Sequence, residues 1–218
     1  MDTGTRLSFF DLPRKTRDNI YGRILVVNHP IDLFRDTGGP VEAFTPEQPR
    51  QWTATLYVNR QMSRESGAIL YGMNNFVVDE IRQQGVILEA FLKTIGPVNS
   101  ASLSRLTLNL PAVIPMSEGF RLRDDSAHAL RLVRIHCTGL QTLEFLSSGL
   151  KSFVFDPTIQ DNIGTADEAL STVDLQIKAI GPLDRVLVRA KGQDSSSPLL
   201  RIMQDLGWII IAADKRES

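Results

Sequence analysis

The sequence predicts an α/β protein: an N-terminal helical unit packed on a mostly parallel sheet of about five strands, with helices on the other side. Three observations lead there. Two N-terminal segments carry the apolar spacing of helices, each with one charge on its apolar line. From Met73 onward, helix-period segments alternate with short apolar runs, the pattern of a parallel sheet. Those runs share one skeleton, apolar-x-x-apolar-x-apolar, repeated along the rest of the chain. With 218 residues, 42% of them hydrophobic, there is enough material for one good-sized domain or two small ones sharing a core.

The first helix is expected from Leu12, with Pro13 at its first position, to about Val26, where Asn28-His29-Pro30 stops it. Arg17 lies on the same face as Ile20, Tyr21 and Ile24. Residues 36–50 hold Gly38, Gly39, Pro40, Pro46 and Pro49 without periodicity and predict a mobile loop. A second helix is expected from Ala54 to Tyr71, ended by Gly72, with Glu65 on the line of Val58, Met62 and Ile69. Burying a lone charge is costly, so Arg17 and Glu65 are expected to meet between the helices as a structural ion pair. Residues 8–72 therefore form one helical unit, and 73–218 a repeat-like α/β region.

The strand skeleton recurs at Met73, Phe76, Val78; Leu103, Leu106, Leu108; Leu140, Leu143, Phe145; Leu183, Val186, Val188; and Leu206, Ile209, Ile211. Between them, helical spacing appears at Leu88, Phe91, Leu92, Ile95, at Leu170, Val173, Ile177, Ile180 and at Leu199, Ile202, Met203, Leu206. Lys93-Thr94-Ile95-Gly96-Pro97 returns as Lys178-Ala179-Ile180-Gly181-Pro182, which reads as helix-ending chemistry with glycine in the left-handed cap. Irregular spacing, roughly 23 to 43 residues, fits either a degenerate leucine-rich-repeat-like stack or an ordinary open α/β layer. Leu150, Phe153 and Phe155 follow the third run so closely that a hairpin at Ser147-Ser148-Gly149 is a further expectation.

Lys plus Arg is 24 and Asp plus Glu 25, a net charge of 24 − 25 = −1 without long runs of one sign, which argues against a nucleic-acid partner. Cys137 is the only cysteine, so no internal disulfide forms. The first residues are too short and polar for a signal peptide, and no apolar stretch approaches membrane-spanning length; a soluble intracellular protein, cytoplasmic or nuclear, is expected. No catalytic residues are assigned. His128 and Asp124 fall one helical turn apart, but no serine or cysteine sits in an elbow motif. His136 beside Cys137 lacks the further ligands a zinc site needs. Asp161, Asp167, Glu168 and Asp174 are read as helix-start acids, and Ser197-Pro198 as a helix entry. No dinucleotide or phosphate-loop fingerprint is present, so no cofactor and no metal are expected.

Phe10, Leu12, Pro13, Arg17, Ile20 and Tyr21, then Leu56, Arg60, Gln61, Met62 and Glu65, then Leu70, Tyr71, Gly72, Asn75 and Phe76 together resemble the F-box-like proteins abundant in filamentous fungi. The segment Phe91 to Pro97 also resembles that family's next helix, so the likeness covers about residues 9–110. The resemblance implies a non-enzymatic adaptor. Its helical unit would dock on the linker subunit of a cullin-based ubiquitin ligase through Leu12, Pro13, Ile20 and Tyr21, and its α/β part would recruit a substrate protein. Lys15 and Thr16 depart from the family pattern, which has Glu and an aliphatic residue there. That departure motivates a second reading, a stand-alone protein-binding scaffold without ligase docking. An enzyme on the α/β layer is the remote third.

Overall fold

A computed structural model describes residues 8–36, 38–46, 52–147, 163–181, 183–190 and 198–212. They form a mixed α/β fold around a mostly parallel seven-stranded sheet. The strands are β1 (Ile31–Arg35), β2 (Val41–Phe44), β3 (Asn75–Val78), β4 (Arg105–Asn109), β7 (Thr142–Ser147), β8 (Arg185–Ala190) and β9 (Ile209–Ala212), and β5 (Val113–Pro115) pairs with β6 (Phe120–Leu122) as a separate hairpin. The helices are α1 (Arg14–Leu25), α2 (Arg60–Met73), α3 (Gln84–Ser102), α4 (Asp124–His136), α5 (Ile163–Lys178) and α6 (Pro198–Asp205).

In the order β2-β1-β3-β4-β7-β8-β9 the parallel strands follow one another in chain order from β1 to β9, with β2 turned back onto the outer edge of β1. Every pairing is parallel except β1 with β2. Right-handed crossovers between parallel strands in chain order put the connecting helices on one side and, among the described residues, leave the other face open. Register then sorts the side chains. Phe76, Leu106, Leu143 and Val186 stand side by side, and one step on so do Val78, Leu108, Phe145 and Val188. With Ile31 and Leu33 of β1 they face the core together with Leu88 and Phe91 of α3, Leu130 and Val133 of α4, and Leu170 and Val173 of α5. Tyr71, Phe76 and Phe91 close one end as an aromatic cluster, with ring centroids 5.2 to 6.4 Å apart.

Several expectations are corrected. The sheet has seven strands rather than about five. The added β1 and β2 come from residues 8–72, so residue 72 does not separate helices from sheet. Residues 41–44, expected in a mobile loop, form β2, which pairs with β1 around the turn at Gly38 (φ 77°). The helix expected from Ala54 is instead a 3-10 helix (Trp52–Tyr57) and then α2, because the Asn59 side chain accepts the Met62 N–H at 2.9 Å and restarts the helix there. Val58 consequently lies outside α2 and is exposed, off the line shared by Met62, Glu65 and Ile69. Pro13 sits just before α1 rather than at its first position.

The Lys-x-Ile-Gly-Pro echo also behaves differently at its two sites. Gly96 (φ 77°, ψ 170°) breaks α3, but Pro97 restarts it, and the chain stays helical to Ser102. The Ser100 hydroxyl bridges the break by donating to the Gly96 carbonyl at 2.8 Å. α5 does end at Lys178, yet Gly181 does not adopt the left-handed conformation, and Pro182 lies outside the described residues. Asp174 is no helix-start acid. It sits late in α5 and accepts the Trp208 indole N–H at 2.9 Å. In β9 the register is one residue off the skeleton, with Val188 opposite Ile210. Trp208 and Ile210 therefore face the core, and Ile209 is exposed. A run of three isoleucines has no alternation to fix its register, so the largest ring, with a buried acceptor for its N–H, decides it. Asp161, Ser197 and the hairpin involving Leu150, Phe153 and Phe155 lie outside the described residues.

Gly139, between α4 and β7, packs so tightly on the end of α3 that a Cβ there would run into the Ala101 carbonyl oxygen. Gly139→Ala must push backbone aside. It is expected to cost about 1 to 3 kcal/mol, read as a lower denaturant midpoint with an unchanged slope.

Candidate functional site

Two places gather polar side chains, and they are of different kinds. The first is the clamp between α1 and α2. Arg17, 8% exposed, donates from Nε to Glu65 Oε2 at 2.8 Å and from Nη2 to Oε1 at 2.6 Å, while Glu65 is 4% exposed. The remaining guanidinium nitrogen donates to the carbonyls of Leu12 (2.5 Å) and Phe10 (3.3 Å), tying down the short 3-10 helix Phe9–Asp11. Glu65 also accepts from Gln61 at 3.0 Å and from the Tyr21 hydroxyl at 3.3 Å. The hydrogen-bonded Arg17 holds the Glu65 carboxyl down at about 2, against the opposing pull of burial, and the same bond raises the pKa of Arg17. A carboxylate so fully occupied is structural: it has neither an open lone pair nor a titration near neutrality.

Beside the clamp, Asn74 joins the ends of the two helices. Its amide donates to the carbonyls of Leu25 (2.9 Å) and Leu70 (2.8 Å), and its oxygen accepts the Val27 N–H at 2.9 Å. The sequence reading passed over it in favour of Asn75, which points to the opposite side of β3. Of the expected docking residues, Leu12 and Pro13 are exposed and Ile20 is half-buried. Tyr21 is fully buried against Phe9 and Glu65, and burial raises its pKa, so its ring has no surface to offer a partner. Lys15 and Thr16 are both exposed on α1.

The second place is the open face of the sheet. There, register lines up Asn75, Arg105, Thr142 and Arg185 in one row, and Val77, Thr107, Glu144 and Leu187 in the next. Asn75, Arg105, Thr142, Arg185, Glu144 and Leu187 of these rows, with Arg189 and with Val27 to Pro30 from the turn after α1, line a recess of about 330 Å³ at the amino ends of the strands. Asn75 and Thr107 exchange hydrogen bonds at 2.9 and 3.1 Å. Arg189 Nε contacts Glu144 at 2.5 Å. Arg105 and Arg185 make no ion pair with a carboxylate among the described residues. The lining holds three arginines and one glutamate, 3 − 1 = +2, on a chain of net charge −1.

The sequence reading did not single out these arginines. The signal was nevertheless present, since Arg105 and Arg185 each occupy the third position of an apolar-x-x-apolar-x-apolar run and Arg189 directly follows the last apolar position of one, so that each is next to a core residue and on the opposite face from it. Ligand crevices of open α/β sheets lie at the carboxyl ends of strands where the order reverses. Here the parallel strands keep chain order from β1 to β9, and the recess is at the other end.

The remaining candidates resolve into structural roles. His128 contacts Glu89 at 3.0 Å and Arg131 at 2.9 Å, whereas Asp124 pairs with Arg121 at 2.6 Å, so the expected neighbours do not meet. Cys137 is buried, which pushes its thiol up to about 12, while His136 beside it is exposed. Among the described residues no group of three or more His, Cys, Asp or Glu side chains is placed to hold a metal ion, and no helix is long and apolar enough to cross a membrane. Compared with known proteins, the chain matches no protein-family model, no curated protein and no solved structure.

Proposed function

We propose that this chain is a non-enzymatic protein-binding adaptor that takes its partner on the open face of the sheet. The observation that carries the reading is the asymmetry of the sheet: one face is packed by helices, and the other presents Arg105, Arg185 and the Arg189–Glu144 pair around a shallow recess. The one carboxylate of that recess is engaged by arginine, an arrangement suited to recognition rather than proton transfer. The parallel strands added in sequence order support reading residues 73–218 as a degenerate leucine-rich-repeat-like stack.

The finer reading is the substrate-recognition subunit of a cullin-based ubiquitin ligase. It rests on the resemblance of the segments between Phe10 and Phe76 to F-box-like proteins. With Tyr21 buried, docking on the linker subunit falls to Leu12, Pro13 and Ile20. The stand-alone scaffold is favoured by a separate observation, that β1 and β2 of the N-terminal segment build into the same sheet as β3. On that reading the segment is a cap for the sheet.

Titration of the purified full chain with the purified linker subunit in a calorimeter separates the two. The ligase reading expects association at micromolar concentrations or tighter, about −8 kcal/mol or more favourable. If neither the natural chain nor the Lys15→Glu, Thr16→Ile double variant binds, ligase membership is refuted and the scaffold stands.

A further inference from the structure

We infer that the recess of the open face receives an extended acidic segment of a partner protein, with carboxylates at its centre and apolar side chains at its flanks. This inference rests on the adaptor reading and names the chemistry of its partner. Arg105 and Arg185 stand in one row with Thr142 between them. With strands spaced about 4.8 Å, their Cα atoms are about 10 Å apart. Both guanidinium groups line the same recess, and planar forks of this kind pair with carboxylates through two parallel hydrogen bonds. Arg189 already has Glu144; among the described residues the other two cations have no carboxylate and are the ones available for a visiting anion.

The same face supplies apolar shoulders. Asp32 of β1 pairs with Val77 and with Phe44, so Phe34 and Phe44 lie on the open side, 42% and 53% exposed. At the other edge, Ile209 stands opposite Leu187 and is 46% exposed. Size decides between a small anion and a peptide. Seven strands span about 29 Å at six intervals of about 4.8 Å, which an extended segment of about eight residues covers. A single small anion would use the arginines and leave both shoulders bare.

The test is fluorescence anisotropy on the full chain. The probe is a labelled synthetic peptide with a central run of glutamates between leucine pairs, beside one with glutamine and one with phosphoserine in place of glutamate, and with citrate as a competitor. The glutamate peptide is expected to bind with an affinity that falls as salt is raised, and at least about tenfold more tightly than the glutamine peptide. The Arg105→Glu, Arg185→Glu double variant is expected to lose about tenfold or more, with an unchanged melting temperature because both side chains are exposed. The Arg185→Gln single variant, expected to show a smaller loss, serves if the double variant does not fold.

Equal binding of the glutamate and glutamine peptides, or unaltered affinity in the variants, overturns the inference. So does preference for phosphoserine by tenfold, which would make the occupant a phosphopeptide, or complete displacement by citrate at equal concentration, which would make it a small anion. Protein partners pulled down equally by the natural chain and the double variant would overturn this site while leaving the adaptor reading intact. Salt-sensitive, arginine-dependent peptide binding without any stoichiometric protein partner would support the site and remove the adaptor.

Discussion

Arg17→Ala is expected to destabilise the protein by about 3 to 5 kcal/mol, because it leaves the Glu65 carboxylate buried without its counter-charge. It also orphans the Leu12 carbonyl and frees the 3-10 helix Phe9–Asp11, whose only tie through that guanidinium is lost. Arg14 provides the comparison. It is half-exposed, lies 3.8 Å from Glu65 and pairs mainly with Asp18, so Arg14→Ala is expected to cost less than about 1 kcal/mol. For a chain of this size, the first substitution corresponds to a fall in melting temperature of about 6 to 20 °C. Equal melting of the two variants would contradict the clamp.

The same pair predicts an acid limb. Glu65 has a folded-state pKa of about 2 against an ordinary value of 4.5. A lowered folded-state value means that its contribution is present above the unfolded value and lost as pH falls through the folded one. That difference corresponds to about 3 kcal/mol, disappearing between about pH 5 and pH 2. Glu65→Gln should therefore unfold more easily at neutral pH and show a flatter stability curve below pH 5. Denaturant titrations at pH 7 and pH 3 check both points, and parallel curves for the two proteins would sink the assignment.

Asn74→Ala should cost nearly as much, about 3 kcal/mol, by summing the loss of three hydrogen bonds whose backbone partners remain behind. The Leu25 carbonyl, the Leu70 carbonyl and the Val27 N–H are all served by this one side chain, and Asn74 itself is buried. Asn74→Asp is a sharper test. It keeps the shape and the acceptor for Val27 but turns a donor to two carbonyls into a buried charge facing them. Substituting its neighbour in the same way, Asn75→Asp, touches only the open face and the Thr107 hydroxyl. Thermal melts that ranked Asn75 above Asn74 would show that the seam between α1 and α2 has been misassigned.

The clamp and the alternating sheet were legible because both follow from local periodicity. An apolar line with one charge on it, found in two helices, has few affordable solutions, and Arg17 against Glu65 is the one the structure adopts. The inward positions of β3, β4, β7 and β8 repeat a spacing that any reader can align. β1 and β2 were less visible: Ile31 and Leu33 do alternate with Asp32, but the strands are short and divided by Gly38, Gly39 and Pro40, whose composition suggests loop. The open-face arginines were visible only as leftovers of the core pattern, since no local rule says that residues 105 and 185 are neighbours.

The amino-acid sequence by itself determined the helix and strand periods, the inward-facing residues of four parallel strands and the charge line on each N-terminal helix, because these depend on side chains within a few residues of one another. Tertiary structure alone decided the rest. It set the one-residue register of β9 around Trp208, the entry of β1 and β2 into the sheet, the burial of Tyr21, and the meeting of Arg105, Arg185 and Arg189 around one recess. Those outcomes depend on competition for the same interior volume and hydrogen-bond partners between segments as far apart as Asp174 and Trp208, a competition that no window along the chain records.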